Sequence, residues 1–150
     1  MTMSSIGLQA LILEEGKRSK MYIDSNGHPT IGVGHLILSS EPHLKTAKLS
    51  DLEINQLLVK DLIRFELSVN NLSIQLKQNE FDSLVSLSFN IGHNGFASSY
   101  LAKYISLNLR NLWNFANIKE YFLNWYSHGL LTARRTREYE MFHLGKYRRF

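Results

Sequence analysis

The chain has no cysteine. That excludes a disulfide framework and any thiolate-bound metal cluster, and leaves packing alone to hold the fold. Proline is almost as scarce, with Pro29 and Pro42 as the only two, so the chain beyond residue 42 is open to long helices. Long hydrophobic runs are lacking too. The longest early stretch, IGLQALIL, is interrupted by Gln9 and followed at once by Glu14 and Glu15, too short and too soon charged for a spanning helix or a secretory signal. The protein is expected not to export itself. No repeat or low-complexity tract is present, and 150 residues with 44% apolar content suffice for one ordinary domain, or for two small lobes sharing one chain.

Acid is the scarcer charge, which leaves a formal net charge of +4. The surplus gathers late, in Arg134, Arg135, Arg137, Lys146, Arg148 and Arg149, and favours polyanionic partners. Nucleic acid and an anionic cell-wall polymer satisfy that equally. The six histidines are scattered, and none shares a helical face with another at the His-Glu-x-x-His spacing, so no metal is expected. The glycines of GVGH lack the remainder of a dinucleotide fingerprint and read as a tight strand. Tyr121, Phe122, Trp125 and Tyr126 could stack on sugars or bases, but an aromatic cluster at helical spacing reads first as core.

What the chain does have is helical periodicity. Ser50 and Glu53 form a capping box before Ile54, Leu58, Leu62, Phe65, Val69 and Leu72, which recur every three or four residues. This predicts one amphipathic helix from about Asp51 to Asn71, roughly 30 Å long, able to connect two lobes. Further helices are predicted from Asn79 to about Phe89, around 96–106, 108–114 and 116–125, and finally after Gly129 with Thr132 as its cap. Strand signals fall only between Lys20 and His35. The expected fold class is therefore α+β and mostly helical, with its strands segregated near the start.

Chemistry concentrates in EEGKRSKMYIDSNGHPTIGVGH, residues 14–35. On a helix starting near Ser5, Glu15 lies in the arc of Leu8, Leu11 and Ile12 while Glu14 points elsewhere. An apolar setting and the negative end of a helix stopped by Gly16 both favour an uncharged carboxyl, as a general acid requires. By position alone, a solvated last-turn residue is the alternative. Downstream, Asn26-Gly27 signals a hairpin. A two-residue loop of Asn26 and Gly27 would pair Asp24 with Pro29 and turn Thr30 away from the aspartate, whereas the favoured three-residue loop of Ser25, Asn26 and Gly27, with glycine left-handed, pairs Asp24 with His28 and Tyr22 with Thr30 and puts all four on one face. Asp24 and Thr30 then lie diagonally, roughly 7 Å apart at their β-carbons, near enough to hold one water. The plainer alternative makes Asp24 a turn residue and Thr30 a strand former. Two carboxyls in such different settings suit glycosidic cleavage, where one protonates the leaving oxygen and the other stabilises positive charge or activates water.

Glu15, eight residues, Asp24, five residues and Thr30 resembles the active-site segment of the phage-type lysozymes, the glycoside hydrolases known as endolysins. LSDLEINQLLVKDLIRFELSVN is similar to that family's long helix, QNEFDSLVSLSFNIG to its helical-lobe motif, and LTARRTREYEMF to its terminal arginine-containing helix. The resemblance implies a two-lobed lysozyme-like domain over residues 1–150. It would have a sheet-bearing lobe at about 14–50, a connecting helix at about 51–71, and a helical lobe at about 75–150 that includes the N-terminal helix 5–15. It implies a muramidase cutting peptidoglycan between N-acetylmuramic acid and N-acetylglucosamine, generally with inversion and without a cofactor. Glu15 would be the acid, Asp24 the carboxylate that positions or activates water, and Thr30 its water-orienting partner. His35, in the family's Gly-x-Gly-His position, would support the site, and Asn90 and Arg134 would contact substrate. GHNGFAS follows the motif loosely, and SHGLLTARR is one residue longer than the usual approach to the paired arginines. As an endolysin the protein would be a monomer, held in the host cytoplasm until release to the wall. It would engage glycan strands, with no nucleic acid expected. The rival readings are a lytic transglycosylase, which needs only the glutamate, and a non-catalytic wall- or nucleic-acid-binding module of the same fold.

Overall fold

The computed structural model describes residues 1–125 and 129–149. Helix α1 spans Ser5–Glu15 and is followed by strands β1 (Arg18–Ile23), β2 (Pro29–Gly32) and β3 (His35–Leu36). A short 3-10 turn at Pro42–Lys45 leads to α2 (Asp51–Asn70), α3 (Gln78–Ile91), α4 (His93–Ala97), α5 (Tyr100–Leu107), α6 (Phe115–Leu123) and α7 (Thr132–Leu144). The protein is α+β and mostly helical. Two compact units divide it, one made of Ile12–Ile63 and the other of Met1–Leu11 with the chain from Arg64 onward.

In the first unit the strands form an antiparallel sheet in the order β1-β2-β3, with a bulge in β1 between Arg18 and Tyr22. Ile31, Ile37 and Leu44 form its buried centre, packed by Met21, Ala47, Leu49 and Leu57. The first turns of α2 add buried Ile54, Leu58 and Leu62, all members of the periodic set. That helix begins where the capping box places it: the Ser50 amide donates to Glu53 Oε2 at 2.7 Å, and the Glu53 amide donates to Ser50 Oγ at 3.2 Å.

In the second unit α3 is buried along almost its whole length and packs on α7, while Phe122 and Phe142 meet at 5.7 Å between ring centroids. Gly7 of α1 lies against the buried Asp82 of α3, where a Cβ would come within 2.6 Å of the carboxyl carbon. Three sequence expectations are corrected in this unit, the first being the helix expected at 108–114, of which only a 3-10 turn at Arg110–Leu112 forms. Residue 132 does not cap α7: Leu131 holds that position with no side-chain cap bond, and Thr132 is already helical. The helix expected around 96–106 is two helices, because Ser98 and Ser99 break it and Ser99 Oγ accepts from the Ala102 amide at 3.1 Å to start α5.

Candidate active site

Glu15 is the last residue of α1, and Gly16 ends the helix with φ +74°, its amide still donating to Ile12 O at 2.8 Å. The buried stripe of α1 is Gly7, Ala10 and Leu11, rotated from the arc of Leu8, Leu11 and Ile12 that the sequence favoured. Helical spacing puts Glu14 rather than Glu15 in line with that stripe, and both glutamates come out half-buried. Within Glu15, atom Oε1 is buried.

The hairpin has the three-residue loop. Tyr22 pairs with Thr30 and Ile23 with Pro29; the Asp24 amide donates to His28 O at 2.9 Å, and the Gly27 amide donates to Asp24 O at 3.0 Å with Gly27 at φ +82°. The Asp24 carboxylate then folds over its own turn, where Oδ1 accepts from the amides of Asn26 at 2.9 Å and His28 at 2.8 Å. Oδ2 lies 3.7 Å from His28 Nδ1. The His28 amide, more than partial desolvation can counter, holds the Asp24 carboxyl below the usual carboxylate range. Thr30 is 2% exposed, and its Oγ1 donates to His28 O at 3.0 Å. One residue, His28, thus ties Asp24 and Thr30 together, its N–H held by the carboxylate and its carbonyl by the hydroxyl. Asp24 is both the turn residue of the plainer reading and an acid with a second oxygen to use.

His35 is buried between two carboxylates, with Nδ1 2.8 Å from Asp61 Oδ2 and Nε2 2.8 Å from Glu41 Oε2. It joins β3 to the segment before the 3-10 turn and to α2. Burial opposes its charge, but the bonds to Glu41 and Asp61 and their negative charge outweigh burial and raise its pKa.

Asn90 and Arg134 belong to the second unit. Arg134 is 6% exposed; its Nε donates to Glu138 Oε1 at 2.9 Å and its Nη2 to Ser86 O at 3.4 Å. Arg135, wholly buried, donates to Glu138, to Asn90 Oδ1 and, at 2.5 Å, to Trp125 O. Ser86 Oγ completes the set on Glu138 Oε1 at 2.9 Å. Sequence reasoning singled out Arg134 but missed Arg135 and Glu138; the spacing of Glu138, four residues from Arg134 and three from Arg135, was the available signal. Of the aromatic cluster, Phe122 is core, Tyr121 and Trp125 are half-buried, and Tyr126 lies outside the described residues, as do Ser127 and His128 of the longer approach to the arginines.

A family model described as phage lysozyme matches residues 13–138. The endolysin of Salmonella phage P22 is 36% identical over 148 residues, covering 95% of this chain and 98% of its own. A crystal structure of a P22 lysozyme mutant superposes with a TM-score of 0.82 at 35% identity, over 95% of this chain and 98% of that one. An endolysin from the Escherichia coli O157:H7 phage FAHEc1 superposes with a TM-score of 0.86 at 28% identity, over 99% and 98% of the two chains. Fold and sequence define a lysozyme, a glycoside hydrolase that lyses the bacterial cell wall. More particularly, the chain belongs to the phage lysozyme family. No helix among the described residues is long and apolar enough to cross a membrane.

Proposed function

We propose that Glu15 protonates the glycosidic oxygen between N-acetylmuramic acid and N-acetylglucosamine while Asp24 and Thr30 hold the attacking water, so that cleavage inverts the anomeric carbon. The observation that carries this reading is the shared hold on His28. The Thr30 hydroxyl spends its proton on the His28 carbonyl, which turns its lone pairs toward any water beside it. Asp24 spends Oδ1 on the turn and retains Oδ2 as an acceptor. A water that donates one hydrogen to each presents its own lone pair to the sugar, and the ionised Asp24 takes up its proton as the bond forms. The proton Glu15 delivers leaves with the alcohol, so charge balances across the step.

Asn90 is expected to reach the glycan with its amide nitrogen while Oδ1 accepts from Arg135. Arg134 contributes through the Glu138 network, and His35 through the stiffness of the sheet. The protein works as a monomer without a cofactor, retained in the host cytoplasm until released to the wall, and nucleic acid is not its partner.

Digestion of purified sacculi with mass analysis of the fragments tests bond and mechanism together. Reducing muramic ends are expected, formed initially as the inverted anomer; anhydro ends would mean a transglycosylase and overturn the water-positioning roles. Glu15→Gln should abolish lysis with the thermal transition unmoved, because an amide cannot supply the proton. Lysis at the parent rate would remove Glu15 from the reaction.

A further inference from the structure

From Ser83 to Lys119 the chain contains no acidic residue, yet it carries Lys103, Arg110 and Lys119. The middle of this stretch also holds three strongly exposed apolar side chains close together in sequence: Leu107 is 82% exposed, Leu109 71% and Leu112 64%. Leu107 and Leu109 border an apolar pocket of about 510 Å³ whose other walls include Ile74, Leu76 and Trp113. Lys77 and Arg110 line that pocket and also a second, polar one of about 380 Å³ completed by Asn79, Glu80 and His143. Glu80, the acid of this pair of pockets, is 3% exposed and already clasped by both terminal nitrogens of Arg110.

We infer that this leucine-tipped face docks on a bilayer of anionic phospholipid, its leucines entering the acyl boundary and its cations lying at headgroup depth, an activity separate from glycan cleavage. Apolar prongs beside Lys77, in a stretch whose Lys103 and Lys119 face no acid of that stretch and whose Arg110 is already paired with Glu80, match the two-part demand of an anionic interface, apolar area to bury and negative charge to meet. Other occupants fit less well. A second copy meeting this face across a two-fold axis would bring Lys77 near its own duplicate. A peptide partner would need a sheet edge or a long helix groove, and the leucines instead leave a short 3-10 turn at Arg110–Leu112 and its approach.

Co-sedimentation of the full chain with vesicles decides the matter. Vesicles of phosphatidylglycerol in phosphatidylcholine should retain the protein at low salt, and pure phosphatidylcholine should hold it about tenfold less well. The variant L107S/L109S/L112S should lose about tenfold in binding to the anionic vesicles while lysing purified sacculi at the parent rate. Lys77→Gln, made separately, should weaken binding with the leucines intact. Equal binding by parent and leucine variant would assign attraction to the basic terminus and overturn the proposal, as would failure of the parent to bind. A concentration-dependent dimer that the leucine variant abolishes, without vesicle binding by the parent, would assign the face to self-association instead.

Discussion

In the proposed reaction Asp24 has a job for each of its two oxygens, and a single substitution would separate them. In Asp24→Asn the amide oxygen can still accept from Asn26 and His28, so the hairpin should persist and the melting temperature should barely move. Lysis should fall about 100-fold or more, because the neutral amide cannot take a proton from water; a turbidity assay on sacculi beside a thermal melt reads both. The lowered Asp24 pKa fixes the sign of its acid response: the charge and its hold on the turn are present above the ordinary value of 3.8 and are lost only as pH falls through the lower folded value. Gly7 poses the opposite problem. Alanine would gain about 1 kcal/mol of helix propensity, but its methyl would sit 2.6 Å from an Asp82 carboxyl that cannot swing aside. Overpacking of this kind costs about 1–3 kcal/mol, so Gly7→Ala should lower the melting temperature despite the better helix former. This contact also explains why the face of α1 was not legible in the sequence. Leu8 looks the better core residue, and only a partner dozens of positions away turns the glycine inward.

At the scale of elements, features set within a few residues could be read and those set by distant partners could not. The hairpin register followed from a glycine placed to adopt positive φ, and the start of α2 from two residues three apart. His35 was legible as a position but not as a clamp, since Glu41 and Asp61 reach it from other elements. The Arg135 bond to Asn90 spans 45 residues and left no local trace. The histidine clamp has a pH signature. Its folded pKa is raised, so its stabilisation is fully present below the ordinary 6.5 and fades as pH rises through the raised value. Replacing His35 with Asn should cost about 3 kcal/mol in the acidic part of that window, where a charged pair is broken from one side. Melts at pH 5.5 and pH 9 should show the deficit narrowing at the higher pH.

For the whole molecule, Asp82 gathers distant parts of the chain on one wholly buried carboxylate. Oδ1 accepts from the Ser4 amide at 3.0 Å and Gln78 Nε2 at 2.8 Å, and Oδ2 from Ser4 Oγ and from Tyr147 OH at 2.8 Å. Burial first, and then this carboxylate, keeps the Tyr147 phenol protonated well beyond its usual range. Tyr147→Phe should lose about 1 kcal/mol, one ordinary bond, whereas Asp82→Ala should lose about 3 kcal/mol or more because several donors are stranded at once; chemical denaturation of the two variants gives the ratio. The boundary between the two units falls inside α1, after Leu11, and inside α2, after Ile63, and so cuts two hydrogen-bond ladders rather than two loops. Excising the sheet-bearing piece as a separate fragment would sever each ladder mid-turn and leave backbone donors and acceptors unpaired at fresh stumps. The ends of any excised fragment must therefore lie outside those helices, and a calorimeter should record one melting endotherm for the intact chain.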